Sequence, residues 1–262
     1  MTLAGRLVVT GGPSGLRRVA EKEEVFASLW IGLADTLRSG QPQLAPLAVR
    51  AAEDPSGVER FLLALNDLGL AVASNLFAFG VPRRARELLD VGAGGGWAAI
   101  ASASLRPRMA VHLLELPAIA PITREILERE LEAGQWRLHH GDARDPRMGL
   151  PRRARFDVVL ISHLLHDLSD DEARTVLGQA VGLTKPGGTV LVHDVCYTGR
   201  RSELAPALFD LMMLVETAAG AVRERAVLRA WMQEAGLVQV RTRHLGWSTV
   251  LTGRRPMHEG TA

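Results

Sequence analysis

The chain has 262 residues, of which 47% are hydrophobic and 23% charged, so it can bury one large core or one domain with an appendage. Its net charge is +2, and the basic residues are scattered in short groups without interleaved aromatics, which disfavours nucleic-acid binding. A single cysteine excludes an internal disulfide, and neither a signal peptide nor an uncharged membrane-spanning stretch is predicted. We therefore expect a cytoplasmic protein without membrane or nucleic-acid partners.

The first 80 residues are predicted to be mainly helical. A short strand is predicted at 5–10, and a Gly- and Pro-rich loop covers 39–46. One amphipathic helix is predicted between residues 19 and 36, and a second begins at Asp54. Two such helices cannot enclose a core, so we expect segment 1–80 to pack on the later sheet, on another chain, or on both. Apolar side chains recur at helical spacing in the first helix, at Val25, Leu29, Leu33 and Leu37.

From residue 81 onward, predicted strands and helices alternate, which is typical of a mostly parallel sheet covered by helices. The strands are predicted at 88–91, 110–115, 136–140, 156–161, 188–193, 237–243 and 247–252. The helices are predicted at 98–105, 119–133, 170–182, 203–219 and 226–235. Pro186-Gly-Gly188 predicts a turn before the fifth strand. Only two residues separate the last two strands, so we expect an α/β fold with an antiparallel edge hairpin.

A glycine-rich turn links the strand at 88–91 to the helix that follows it. Glycine permits a tight turn and a close ligand, and the N terminus of the next helix offers free N–H donors. A dinucleotide-binding fingerprint would need Gly or Ala where Trp97 stands, so the spacing favours S-adenosylmethionine (SAM). The alternative is a turn that binds no ligand. The residues predicted to hold SAM here are Asp90, Gly92, Gly94 and Gly96.

Two further carboxylates end the second and third predicted strands. Glu115 lies about 20 residues beyond the glycines, where a carboxylate would accept hydrogen bonds from ribose hydroxyls. Asp142 would accept a hydrogen bond from the adenine amino group, although it could equally cap the following turn. We place the adjoining Leu116 and Ala143 at the same cofactor site.

A histidine-containing segment, Ile161–Asp170, follows the fourth predicted strand. Histidine titrates near neutral pH, so a histidine in this segment can take a proton from a weakly acidic hydroxyl or amine. Two alternatives stay open: a structural histidine, or a metal site, because His163 and His166 are spaced like paired ligands. No metal is predicted, since neither a cysteine pair nor a Glu-containing zinc motif accompanies them. Cys196 lacks a basic partner and is not expected to be a nucleophile.

Six stretches, ordered across most of residues 20–252, carry a resemblance to a known family. They are 88–96 (Leu-Leu-Asp-Val-Gly-Ala-Gly-Gly-Gly), 114–117 (Leu-Glu-Leu-Pro), 141–142 (Gly-Asp), 164–173 (Leu-Leu-His-Asp-Leu-Ser-Asp-Asp-Glu-Ala), 186–188 (Pro-Gly-Gly) and 223–225 (Arg-Glu-Arg). The chain resembles the plant-type small-molecule O-methyltransferases, the caffeic acid and hydroxyindole group with its bacterial natural-product relatives. This implies a Rossmann-like SAM-methyltransferase domain at 81–262. Segment 1–80 would be a remnant of the family's winged-helix dimerisation and lid region.

The resemblance also implies roles for individual residues. His166 matches the family's general base, and Asp194 and Glu224 match the two acidic residues that orient it. Ser162 stands four residues before His166, where the family often has a basic residue, and we place it at the cofactor. Leu168 replaces the family's usual Trp, and Asp194 is shorter than the usual Glu.

The implied reaction is methyl transfer from SAM to a hydroxyl of a small aromatic or polyketide-like acceptor. Two alternatives stay open: a relative with altered chemistry, such as decarboxylation or hydroxylation, and a non-catalytic SAM-binding module. In the family the front domain completes a homodimer and part of the acceptor pocket. We therefore expect a homodimer that the short front segment weakens or alters.

Overall fold

The computed structural model describes residues 16–146, 148–199 and 203–257, so the strand predicted at 5–10 lies outside the described residues. Within these ranges the helices are α1 (Arg17–Ile31), α2 (Leu33–Ser39), α3 (Leu47–Glu53), α4 (Pro55–Gly80), α5 (Trp97–Leu105), α6 (Ala120–Glu130), α7 (Asp170–Leu183), α8 (Leu204–Glu216) and α9 (Arg225–Glu234). The strands are β1 (Glu87–Val91), β2 (Ala110–Glu115), β3 (Trp136–His140), β4 (Phe156–Ser162), β5 (Thr184–Asp194), β6 (Cys196–Tyr197), β7 (Arg223–Glu224), β8 (Val238–Leu245) and β9 (Ser248–Arg254). A 3₁₀ turn, Leu165–Asp167, follows β4.

The main sheet has seven strands in the order β3-β2-β1-β4-β5-β9-β8. β1 to β5 run parallel, and β9 is antiparallel to both of its neighbours. The predicted fold class, a mostly parallel sheet with an antiparallel edge hairpin, is therefore confirmed. β6 and β7 form a separate two-stranded sheet that the sequence did not predict. The strand order reverses between β1 and β4, and ligands of such sheets bind beyond the carboxyl ends of the strands at this switch point.

The central strands are buried on both faces because they are almost wholly apolar. In β4, Val159 and Ile161 belong to a core that includes residues of α7 and α9. Val158 and Leu160 alternate with them and belong to a second core, with residues of α4 and α5. Successive side chains of a strand point to opposite faces, so one strand serves two cores.

Helix α4 joins the N-terminal segment to the sheet. Asp54 caps its start, because its Oδ1 accepts a hydrogen bond from the Gly57 N–H at 2.8 Å, and Pro55 fills the first helical position. By length and composition this helix is apolar enough to cross a membrane. In the fold, however, Leu76 and Phe77 are buried in the same core as β1 and β4. The helix therefore serves here as a core helix.

The N-terminal helices differ from the prediction in their bounds. The helix predicted between 19 and 36 is broken at Gly32 into α1 and α2, and α3 was not predicted. Phe26 is buried in a cluster with residues of α8, and Leu29 packs against that cluster. Val25 and Leu37, from the same predicted apolar face, are exposed. The predicted face is thus only partly covered.

Strand β5 begins at Thr184 rather than at the predicted residue 188. The stretch 186–188, predicted as a turn, lies inside the strand as a bulge. Phe156 of β4 pairs with Thr184, whereas Val158, two residues on, pairs with Thr189. A bulge accommodates the extra residues of one strand while pairing continues on both sides, which is why the turn residues did not end the strand.

Candidate active site

The glycine turn lies at the switch point, directly after β1. Gly92, Gly94 and Gly96 have φ of +71°, +54° and +80°, a conformation that residues with side chains rarely adopt. A Cβ at Gly95 would lie 2.6 Å from Oδ1 of Asn66, which belongs to α4. Asn66 also holds the turn, because its Nδ2 donates to the Gly95 carbonyl at 2.8 Å. The predicted tight turn is present, and its geometry requires glycine.

Glu115, the last residue of β2, is hydrogen-bonded to this turn. Its Oε2 accepts from the Gly94 N–H at 2.7 Å, and its Oε1 accepts from the Leu116 N–H at 2.7 Å. Burial raises the pKa of Glu115, although the two N–H donors act to lower it. A carboxylate has about four acceptor sites, so Glu115 can still accept hydrogen bonds from a ligand's hydroxyls.

Asp90 is a buried carboxyl group inside β1, only 1% exposed. Neither of its oxygens has a hydrogen-bond partner among the described residues. Burial, and then the nearby charge of Glu115, raises the pKa of Asp90 to about 8. A buried polar group without a partner is costly, and a ligand that brings a cation or a hydrogen-bond donor would remove that cost. The site therefore fits SAM, which carries an ammonium group.

The other predicted cofactor residues have partners within the chain. Asp142 accepts hydrogen bonds from Arg144, from Nη2 at 2.6 Å and from the backbone N–H at 2.9 Å, and this pairing lowers the pKa of Asp142. The alternative role as a turn cap is thus present. Ala143 packs against one of the two cores. The Ser162 hydroxyl lies 3.0 Å from His193 Nδ1 on the neighbouring strand, and its place at the cofactor stays a prediction.

A buried ion pair joins the 3₁₀ turn after β4 to the end of β5. His166 Nδ1 lies 2.5 Å from Asp194 Oδ1, and Oδ1 also accepts from the Val195 N–H at 2.7 Å. Burial acts to lower the pKa of His166, but the charges of Asp194 and Asp167 outweigh it and raise the pKa to about 9. Burial acts to raise the pKa of Asp194, but the imidazolium lowers it below its usual value. Two of the predicted catalytic residues are therefore together.

Glu224, the third predicted catalytic residue, is not brought to the histidine. Its side chain is exposed, and none of the hydrogen bonds or ion pairs of the described residues joins it to His166. Neighbouring residues of a strand point to opposite sides. In β7 the buried side is taken by Arg223, which donates to the Leu168 carbonyl at 2.5 Å and to Asp170 Oδ1 at 3.0 Å. A role for Glu224 in orienting the base stays a prediction.

A different acid, Glu216 at the end of α8, acts on the histidine. Its charge contributes to the raised pKa of His166. Burial, and then the charge of Asp167, raises the pKa of Glu216 itself to about 7. Sequence reasoning missed this residue, because an acid after the apolar run 211–215 reads as the polar end of a helix.

Aromatic rings surround His166. The ring of Phe209 lies 4.9 Å from the imidazole, and that of His163 lies 5.6 Å away, between centroids. Trp247 lies 5.3 Å from His163 and 6.2 Å from Phe209, and 43% of it is exposed. Such a group of rings suits a flat aromatic ligand. The sequence did not single out Phe209 or Trp247, since they come from α8 and from the turn between β8 and β9.

The metal alternative rests on His163, His166 and Asp194, whose ligand atoms all lie within 4.8 Å of one another. Burial, and then the charge of His193, holds the pKa of His163 well below its usual value, so this residue is neutral. A metal ligand must be deprotonated. The raised pKa of His166 instead favours its protonated form, paired with Asp194. The 2.5 Å between His166 Nδ1 and Asp194 Oδ1 is a hydrogen-bond distance, so these two groups form an ion pair in this structure.

The chain is similar to proteins of known function. The family model of the O-methyltransferase domain matches residues 30–238. The tetracenomycin polyketide synthesis 8-O-methyl transferase TcmO of Streptomyces glaucescens is 27% identical over 251 residues, covering 94% of this chain and 72% of its own. The aclacinomycin 10-hydroxylase RdmB of Streptomyces purpurascens is 29% identical over 260 residues, covering 95% of this chain and 68% of its own. The chain spans between 44% and 72% of the length of such curated relatives.

Solved structures share the fold over nearly the whole chain. An O-methyltransferase family protein from Burkholderia thailandensis superposes with a TM-score of 0.86 at 26% identity, covering 99% of this chain and 77% of that one. Human N-acetylserotonin methyltransferase, solved in complex with SAM, superposes with a TM-score of 0.84 at 21% identity, covering 98% of this chain and 75% of that one. The predicted family is confirmed. The chain therefore belongs to the O-methyltransferase domain family, the SAM-dependent O-methyltransferases.

Proposed function

We propose that this chain moves a methyl group from SAM to a hydroxyl of a small aromatic or polyketide-like acceptor, with His166 as the general base. The observation that carries the proposal is the buried His166–Asp194 pair beside the aromatic rings of Phe209 and Trp247. The relative TcmO supports the acceptor class, because its name describes an 8-O-methyl transfer in polyketide synthesis.

The residues around the glycine turn are suited to hold SAM. Asp90 would pair with its ammonium group, and Glu115 would accept from the ribose hydroxyls. Leu116, Asp142 and Ala143, together with Ser162, would complete the site around the adenosine part. When bound, SAM supplies a methyl group on a positively charged sulfur, which is already a reactive donor.

His166 would act through Nε2, because Nδ1 is held by Asp194. Because the pKa of His166 is raised, the neutral imidazole is the minor form at pH 7, and this neutral form takes the hydroxyl proton of the acceptor. A phenol has a pKa of about 10, so the proton moves between two groups of similar affinity, which suits general-base catalysis. The imidazolium that forms stays paired with Asp194, while the rings of Phe209 and Trp247 orient the acceptor.

Asp194→Asn should change the pH dependence of turnover. In the wild type, kcat/KM should rise with pH up to about 9, because deprotonation of His166 creates the base. Asparagine keeps a hydrogen-bond acceptor but removes the charge that most raises this pKa. The rise should therefore shift to lower pH, and the plateau should fall about tenfold or more.

Asp167→Asn is the comparison for this variant. Its carboxylate lies farther from the ring, with Oδ1 3.5 Å from Nε2, so the profile should shift less. A pH profile measured from steady-state rates and left unchanged by Asp194→Asn would contradict the electrostatic role of Asp194.

We also infer that the protein works in the cytoplasm as a homodimer, with α8 at the contact between the copies. The cytoplasmic placement rests on the single cysteine, which suits a reducing compartment. Residues three or four apart share one face of a helix, and an exposed apolar stripe usually marks a contact surface. The stripe on α8 consists of Leu204, Leu208, Leu211 and Leu214, with exposures of 68%, 47%, 37% and 36%.

Charging this stripe should dissociate the dimer. The double variant Leu208→Glu with Leu211→Glu should sediment as a monomer at concentrations where the wild type is dimeric, because the contact would bury unpaired charges. Val238→Glu is a suitable control, since Val238 is exposed to a similar extent (46%) on β8. A wild-type chain that is monomeric at high concentration would rule out the dimer.

A further inference from the structure

A cavity of about 750 Å³ lies at the opposite end of the sheet from His166. It is bounded by the end of α4, the residue after α5, and the strands β5, β8 and β9. One of its lining residues, Thr189, is five residues before Asp194 on β5, a separation of roughly 16 Å. We call it the arginine cavity, because its lining includes Arg83, Arg84, Arg106, Arg241 and Arg254.

The arginine cavity has a net positive charge, carried by four exposed arginines and by Arg106, which is partly buried. None of its lining residues is acidic, and none of the five arginines forms an ion pair among the described residues. The Nε of Arg106 is buried without a hydrogen-bond partner. Uncompensated like charges repel one another and destabilise the compact state. An anion bound between them would remove this repulsion.

Strand β8 has an irregular backbone where it borders this cavity. Its pairing with β9 shifts between Val238 and Arg241, and Gln239 within this bulge has a φ of +53°. Bulges redirect side chains, and a residue with a side chain is uncommon at such a φ. Both Gln239 and Arg241 line the cavity. The side chain of Gln239 adds an N–H donor to those of the guanidinium groups.

We propose that the arginine cavity binds a small polyanion that carries at least two linked phosphate groups. Guanidinium groups donate in pairs to phosphate oxygens, so several of them around one concave site select phosphate over a single carboxylate. The cavity is open to solvent and is larger than one inorganic ion requires. Phe79 is the one aromatic residue in its lining, so it lacks the series of rings on which single-stranded nucleic acid stacks.

Inorganic pyrophosphate is the probe that tests this proposal, because it has no adenosine part that could enter the methyl-transfer site. The full chain, saturated with S-adenosylhomocysteine, should bind pyrophosphate more tightly than inorganic phosphate in calorimetric titration. Its melting temperature should rise with pyrophosphate, since a ligand that binds only the folded state stabilises it. Failure of the proposed methyl transfer would leave both results unchanged.

Arg84→Gln with Arg241→Gln should weaken pyrophosphate binding about tenfold or more and leave SAM affinity unchanged, which shows that the fold is intact. Arg152→Gln with Arg153→Gln is the matched control, because it removes the same charge from an exposed loop. Equal losses in both double variants would reduce the effect to net charge and overturn the site. Absence of binding at millimolar pyrophosphate would also overturn the proposed site.

A single-stranded oligonucleotide could instead bind more tightly than pyrophosphate. If that binding were lost in the Arg84→Gln with Arg241→Gln variant, the surface would be assigned to nucleic acid.

Discussion

His166→Ala should lower turnover by about 10²–10⁴-fold, the usual contribution of a positioned acid–base group, and leave SAM affinity nearly unchanged. The imidazole contacts Asp194 and the ring of Phe209, whereas the glycine turn is held by Glu115 and Asn66. Loss of the ring should therefore affect proton removal rather than cofactor binding. Steady-state rates and calorimetric titration with SAM measure the two quantities separately.

His163→Asn is the matched control for this variant. His163 lies three residues earlier and has a φ of +51°, which asparagine tolerates better than most residues. Turnover of the His163→Asn variant should stay close to that of the wild type. An essential His163 with a dispensable His166 would refute the assignment and return attention to the metal alternative. A product that still forms at the wild-type rate in both histidine variants would indicate chemistry other than base-assisted methyl transfer. The mass change of the acceptor would then show whether the reaction resembles that of a hydroxylase such as RdmB.

Gly94→Val should abolish SAM binding. The nearest protein atom to a Cβ at Gly94 is Leu62 Cδ2 at 3.5 Å, so this Cβ would not collide with the protein. The added side chain would instead fill the space that the cofactor needs beside the turn. It would also disturb the hydrogen bond that the Gly94 N–H donates to Glu115. Calorimetric titration with SAM measures the loss.

Gly40→Val separates this effect from backbone strain. Gly40 has a φ of +67°, close to the +54° of Gly94, and a Cβ there would meet open space. Both variants should lose a similar amount of melting temperature, because a side chain in the left-handed region costs roughly 1–2 kcal/mol. SAM affinity should fall in Gly94→Val alone. Unchanged affinity in that variant would remove the glycine turn from the cofactor site.

The sequence predicts the main sheet well because its strands are short apolar runs between glycines, prolines and charged residues. The bounds of β2 and β3 are exact, since apolar residues and turn residues change abruptly at both ends. β6 and β7 could not be predicted, because two residues show no periodicity. The break at Gly32 was missed, since one glycine is tolerated within many helical patterns.

The candidate site could be predicted where function depends on local sequence. The glycine turn and Glu115 follow strand ends that a parallel sheet brings to one edge. The pairing of His166 with Asp194 was implied by the resemblance to the family. Phe209 and Trp247 could not be found in this way, because their proximity depends on how α8 and the last hairpin pack. The outward direction of Glu224 depends on Arg223 occupying the inner side of β7. The scattered arginines of the arginine cavity likewise meet only in the folded chain.

The hydrogen bond from Asn66 to Gly95 makes the cofactor turn part of the same cooperative unit as α4. A Cβ at Gly69, one turn farther along α4, would lie 2.5 Å from the indole of Trp97, so this helix and the start of α5 are in direct contact. Local opening of α4 would expose the glycine turn to solvent, and amide protons in both segments should exchange together. A fragment beginning at residue 81 would thus keep every predicted SAM contact in its sequence, yet lack the helix that holds the turn in its binding conformation.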